Sequence, residues 1–298
     1  MPNSKSVLVQ FSDALSASAA RAQDYVAEIR TDGGHRLNGV LWKPNVIVAS
    51  EQVLPEGSEY EVSIADQTVR AKLAGRDPGT NVAILRLEQE ISARLPQFAV
   101  PKVGALVLVL GIGFNGITTQ LTVVRSVGGA WQSLAGGTID RRIVLDMRLR
   151  ASDEGGPVLA ADGAILGIST CGAGRQSLVI PASTVDRVAA LLLEKGSVER
   201  GWLGVSLRPV ALPEALRPES SQCVGLMVMD VDADSPAAKA GVVAGDILLS
   251  VGGSPATRLG KIARQFGANS IGKKVEITLA RAGTSLTSEA TITPRKTG

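Results

Sequence analysis

The sequence is nearly empty of imidazole: it has one histidine, His35, in 298 residues. Any mechanism that needs a histidine base or a histidine-rich metal cage must use that side chain. Cysteine is almost as scarce. Cys171 and Cys223 fall in different predicted domains, so they cannot staple a small fold, and one histidine cannot complete a Cys/His zinc site with them. No metal and no cofactor is therefore expected. Aromatic residues make up only 3% of the chain, and no run reaches the ~18 uninterrupted apolar residues of a membrane span. Net charge is small: 31 Lys and Arg against 28 Asp and Glu give +3, too little to suggest nucleic acid. That surplus lies past residue 200, where 11 basic residues face 8 acidic ones.

A hydrophobic content of 45% excludes disorder, and at about 150 residues per domain the length suggests two domains or three. Lys5 and an alanine-rich stretch near Ala20 imitate a secretory signal, but Gln10, Ser12 and Asp13 interrupt the apolar run. Phe11, Leu15, Ala19 and Ala22 recur at helical spacing instead, with Ser12 as N-cap. The expectation is a short amphipathic helix. The chain as written reads as cytoplasmic, or as periplasmic if an upstream signal has been removed.

From Asp24 to Ile180 short β-type runs alternate with Gly, Pro, Asn and Asp, the pattern of an all-β sandwich or barrel. Pro181 to Asp186 then opens a helix, with Ser183 as cap, Asp186 at its third position and Gly196 as its stop. The short polar stretch from Gly196 to Arg200 is the predicted domain boundary, giving domains of residues 1–197 and 201–298. The last hundred residues read as a small α+β module, with helices starting at Ser235-Pro236 and spanning Thr257–Phe266.

Several segments, in order, resemble the HtrA (Deg) family, a trypsin-like double β-barrel followed by one PDZ domain. Asp77-Pro78-Gly79-Thr80 with Val82–Leu87, and Gly155-Gly156-Pro157 with Leu166-Gly167-Ile168, are similar to segments around its catalytic aspartate and just after its nucleophile. Arg200-Gly201-Trp202-Leu203-Gly204-Val205, Ser235-Pro236-Ala237 and Gly245-Asp246-Ile247-Leu248 resemble its PDZ domain. The fold implied is mainly β, a double barrel with a small α+β PDZ domain.

The resemblance also implies a catalytic triad, and there the sequence departs. Gln52 stands at the histidine position, Asn81 at the aspartate and Glu154 at the serine. Glutamine cannot take a proton at useful pH, asparagine brings no charge to an imidazolium, and a carboxylate replaces the hydroxyl. The sequence reading is therefore a pseudoprotease, not an enzyme. In it the Glu154 carboxylate folds into the backbone N–H groups that would hold an oxyanion. Ser152 and Asp153 complete that oxyanion loop, with Ser152 where the family carries glycine, a costly exchange if φ is positive there.

Other sites are weaker. His35 reads as a surface residue and Cys171 as a half-buried inert thiol. Gly111-Ile112-Gly113-Phe114-Asn115-Gly116 matches a dinucleotide fingerprint, but Ile117–Val124 after it is β-branched, so a hairpin turn is expected. Arg258, Lys261, Arg264, Lys273 and Lys274 read as a solvated face that also favours acidic peptides by steering.

The PDZ module reads as intact. Trp202, Leu203, Gly204 and Val205 would hold a peptide's C-terminal carboxylate, and Leu259 and Ile262 would line the pocket for its last side chain. The expected function is binding of peptide or protein C-termini, or of unfolded segments, as an adaptor, regulator or scaffold in protein quality control. The alternative is an endopeptidase with a non-standard active site using Ser152 or Cys171. The resemblance further implies a homo-trimer or assembly with active HtrA-like paralogues, and no nucleic-acid partner.

Overall fold

A computed structural model describes residues 6–294 apart from 32–33, 65, 114, 134, 218–221, 264 and 268–269. The chain divides into two compact units, residues 1–131 with 137–198, and residues 132–136 with 199–298.

The first unit holds two closed six-stranded antiparallel barrels. The first barrel runs from Val26–Arg30 to Val82–Leu87, and its strands pair in register where β-branched and aliphatic residues alternate into one core, including Ile29, Val40, Ile47, Val62, Ala71 and Leu85. The second barrel runs from Leu106–Gly113 to Ser177–Pro181 around Val109, Val124, Ile143, Val158 and Val179. The strands Arg36–Lys43 and Gln67–Asp77 went unread in the sequence because polar residues and glycine interrupt them, and Pro157–Ala160 and Ser177–Pro181 because they are short. The glycine-rich segment is the expected hairpin, with Gly113 paired to Gly116 and Gly116 at φ +112°. His35 is exposed just before the strand Arg36–Lys43.

Two helix starts differ from expectation. The first helix runs Val7–Ala22, so Ser12 lies inside it and Ser6 takes the cap position without a side-chain bond. The second begins two residues early, at Ala182, because Pro181 already has the extended cap conformation; Ser183 caps nothing. Asp186, freed from a capping box, accepts a hydrogen bond from the Trp42 indole N–H at 2.6 Å, which ties the helix to the first barrel. Gly196 stops the helix at φ +74° as expected.

The second unit is a five-strand antiparallel path in which Val205–Ala211 is an edge strand, followed by Val224–Val231, Ile247–Val251, Lys274–Arg281 and Thr284–Thr291. Ser235 caps the helix Pro236–Lys239 through the Ala238 N–H at 3.0 Å. The helix expected over Thr257–Phe266 is shorter, Leu259–Ala263. Its core gathers Leu226, Val228, Leu248, Ile262, Ile277 and Ala290.

One ion pair, with its carboxylate buried and its guanidinium partly exposed, ties this unit together. Asp246 is 1% exposed and accepts from Arg281 at 2.8 Å and from the Val243 N–H at 2.9 Å. The Arg281 guanidinium and that N–H hold its carboxyl below the ordinary aspartate value, against its burial, which pushes it up. A depressed folded value means the stabilisation is complete above the unfolded pKa of ~3.9 and is lost as pH falls through the lower folded value. Asp246→Asn is expected to cost roughly 1–3 kcal/mol at pH 7 and to reduce the loss of stability below pH 4. Urea melts of the full chain at pH 7 and pH 3 check both, and equal acid sensitivity in variant and parent would refute the assignment.

Candidate functional site

Strand register brings the three departed positions together. Val46–Ala49 pairs with Val82–Leu87, with Ala49 opposite Ala83, so the residues just past one strand (Ser50 to Gln52) meet the residue just before the other (Asn81). From the second barrel, the loop carrying Glu154 is fastened to the strand Ile165–Cys171 by the Gly155 N–H on Ser169 O at 2.9 Å and the Ser169 N–H on Gly156 O at 2.8 Å. Glu154 and Thr170 thus face Gln52 and Asn81 across the cleft between the barrels.

Glu154 is 4% exposed and its Oε1 is the hub. The Thr170 hydroxyl donates to it at 3.1 Å, and Ser50 Oγ lies 3.1 Å from it. Gln52 Nε2 donates to it as well. Asn81 Nδ2 and the Cys171 N–H approach at 3.4 Å. Asn81, at φ +57°, accepts the Gln52 backbone N–H at 2.7 Å through Oδ1 and donates to Thr170 Oγ1 at 2.7 Å through Nδ2. All these donors are neutral. The carboxylate is satisfied by dipoles rather than by a cation, which keeps a buried charge tolerable.

The oxyanion-loop expectation is corrected. Glu154 does not turn back on its own loop; its side chain points into the cleft because five donors converge there. Ser152 is not at positive φ, so no strain arises from the missing glycine. Asp153 is buried and turned the other way, accepting from Gln120 Nε2 and lying 3.4 Å from Thr118 Oγ1. Three contributors were not singled out from the sequence: Ser50, Thr170 and Asn38. Asn38 is buried, donates to the carbonyls of Ser152 and Glu154 at 2.7 and 2.9 Å, and accepts the Ile112 N–H at 2.6 Å. Its signal was a lone asparagine within the buried stretch of a strand whose charged residues lie only at its ends.

Cys171 is half-buried beside Glu154, and burial first, then the neighbouring carboxylate, pushes its thiol above the ordinary value. Glu154→Gln removes the second cause. Iodoacetamide should therefore label Cys171 faster in that variant than in the parent at pH 8, with Cys223 as internal reference; an unchanged ratio would separate the two groups.

In the second unit the loop residues lie as expected around Gly204. Gly204 has φ +81°, and a Cβ there would sit 2.1 Å from Ser235 Cβ and 3.0 Å from the Trp202 ring. A Gly204→Glu substitution would therefore disrupt the loop itself rather than simply block the groove. Among the described residues neither the Leu203 nor the Gly204 N–H meets an acceptor, although both carbonyls are engaged, by the Ala237 and Asp232 N–H groups. Leu203 is buried, and Val205 starts the edge strand. Leu259 is 40% exposed and free to line a groove. Ile262 is 3% exposed and belongs to the core, so it is not a wall of an open pocket.

Comparisons with known proteins agree along the chain. A trypsin-like peptidase domain model matches residues 37–168 and a PDZ domain model residues 201–292. A probable periplasmic serine endoprotease DegP-like of Bartonella henselae is 30% identical over 248 residues, 80% of this chain and 48% of that protein. One of Rhizobium meliloti is 31% identical over 252 residues, 81% of this chain and 49% of that protein. The chain thus spans about half the length of these curated relatives. The solved structure of the HtrA-type protease AlgW with decapeptide superposes with a TM-score of 0.72 at 22% identity, covering 97% of this chain and 99% of that one. The serine endoprotease from Yersinia pestis gives 0.71 at 22%, covering 94% and 98%. These findings overturn the expectation that the chain is no enzyme: the matched relatives are named serine endoproteases, and changed residues at three positions do not by themselves remove a chain from that class. They also favour the periplasmic over the cytoplasmic expectation, since those relatives are named periplasmic; no helix among the described residues is long and apolar enough to cross a membrane. With the double barrel, the PDZ unit and the matching models in register, this chain belongs to the HtrA family of trypsin-like proteins with one PDZ domain.

Proposed function

We propose that this chain is a periplasmic, endopeptidase-class protein that captures polypeptide C-termini on its PDZ unit and acts on extended segments at the inter-barrel cleft through a non-standard site. The observation that carries the capture step is the pair of unengaged N–H groups at Leu203 and Gly204, beside an edge strand open to an added strand. A peptide would extend the sheet along Val205–Ala211, set its carboxylate on those donors and lay its last apolar side chain against Leu259.

The cleft has no imidazole, so hydrolysis there depends on other groups. Ser50 is wholly buried, Thr170 nearly so, and Ser152 turns its hydroxyl toward Asp153 rather than Glu154, which leaves the half-buried Cys171 thiol as nucleophile and Glu154 as the base beside it. Burial and then the neighbouring carboxylate hold the Cys171 thiol above its ordinary value, so giving up its proton is unfavourable. Turnover is accordingly slow and rises with pH. Gln52, Asn81 and Thr170 position the carboxylate. The helix Val7–Ala22 exposes Val7, Leu8, Val9 and Phe11, an apolar end that suits assembly with further copies.

The test is long incubation with casein and mass spectrometry of the products. Slow, site-specific cleavage is expected, reduced at least tenfold in Cys171→Ala and in Glu154→Ala and unchanged in Ser152→Ala. Absence of specific cleavage by the parent would reject the catalytic half. In parallel, Leu259→Asp should weaken binding of a peptide with an apolar C-terminus at least fivefold without lowering thermal stability. Unchanged affinity would reject the groove.

A further inference from the structure

A second concavity lies in the PDZ unit, about 580 Å³, walled by Gln222, Cys223, Val224, Pro255, Thr257, Arg258 and Lys261. Its place is fixed by two contacts. The Leu212 N–H donates to Cys223 O at 2.9 Å, so one wall stands at the end of the edge strand Val205–Ala211 that is remote from Gly204. The other wall is the approach and first turn of the helix Leu259–Ala263. At about 3.3 Å per residue the seven-residue strand spans roughly 20 Å.

The pocket's charge is one-sided. Arg258 and Lys261, three apart and so on one helix face, are its two cations, and no wall residue is acidic. Neither forms a salt bridge among the described residues. The other basic residues of this region differ. Lys274 is paired with Glu289 at 2.7 Å, and Arg264 lies outside the described residues. Thr257 and the Gln222 side chain complete a polar lining, although the Gln222 amide is already committed to the carbonyls of Val224 and Leu249.

We infer that this pocket selects acidic side chains five to seven residues before the C-terminus of the captured polypeptide, through Arg258 and Lys261. The inference rests on the capture reading above: a strand added antiparallel to Val205–Ala211, with its carboxylate at Gly204, reaches the pocket at that distance. Recognition by two largely solvated cations is modest and salt-sensitive. It therefore acts as a preference among chains that already share an apolar C-terminus.

The experiment uses the full chain and fluorescein-labelled decapeptides that share one apolar C-terminal tripeptide and carry either Glu or Gln at positions five to seven before the end. Anisotropy should show the Glu peptide binding roughly 3–10-fold more tightly at 50 mM salt, with the difference shrinking at 500 mM. In the double variant Arg258→Glu, Lys261→Glu the preference should vanish or reverse while the Gln peptide keeps its affinity. The Glu peptide should also slow alkylation of the exposed Cys223, which places it in the pocket. Equal binding of the two peptides by the parent, with no protection of Cys223, overturns the acidic preference alone. Failure of either peptide to bind overturns the preference together with the capture reading.

Discussion

The Glu154 carboxylate, buried between two barrels with no cation paired to it among the described residues, is the constraint on which the first unit's site depends. A buried charge is tolerated only when dipoles replace the water it has lost. Glu154 obtains them from both sides of the cleft: Ser50, Gln52 and Asn81 from the first barrel, Thr170 and the Cys171 backbone from the second. Each of these residues looks like a separate loss when it is compared with a triad. Together they form one network, in which an acceptor at position 154 requires donors at the other two positions. Gln52 and Asn81 are amides, and amides can offer N–H groups to a carboxylate in a way that imidazole and aspartate in their usual roles do not.

The same network limits the available chemistry. Oxygen nucleophiles inside it are held as donors and hidden from solvent. The thiol beside it is discouraged from ionising by burial and by the neighbouring negative charge. A site organised in this way is stable before it is reactive, and under the proposed function any turnover there is slow for that electrostatic reason. Capture and chemistry therefore make different demands on the chain: the PDZ loop leaves two N–H groups unsatisfied for a ligand, whereas the barrel cleft leaves almost nothing unsatisfied.

The fold was legible because its signals are local. Short β-branched runs between turn residues gave the barrels, and Ser235-Pro236, Gly196 and the glycine-rich hairpin gave their own boundaries. The positions of Gln52, Asn81 and Glu154 were legible too, through motif spacing. What they do to each other was not, since a side chain's direction depends on which donors the tertiary structure brings near. Glu154 was expected among loop amides one or two residues away, and its partners come from residues 16 to 104 positions distant. Ile262 was placed on the wrong side of its helix for a similar reason: helical spacing says which residues share a face, but not which face the core takes. The inference of inactivity failed on other grounds, because it read a class of activity from three residue types alone.

Asn38 gives the double barrel a property that its strands do not. One amide in a first-barrel strand holds two carbonyls and one N–H of the second barrel, so three hydrogen bonds form or break together when the barrels dock or part. Nothing local can open the loop from Ser152 to Glu154 without releasing that clasp. The Ile112 amide proton is held by that clasp rather than by the hairpin in which it lies, so its protection reports on how firmly the two barrels are docked.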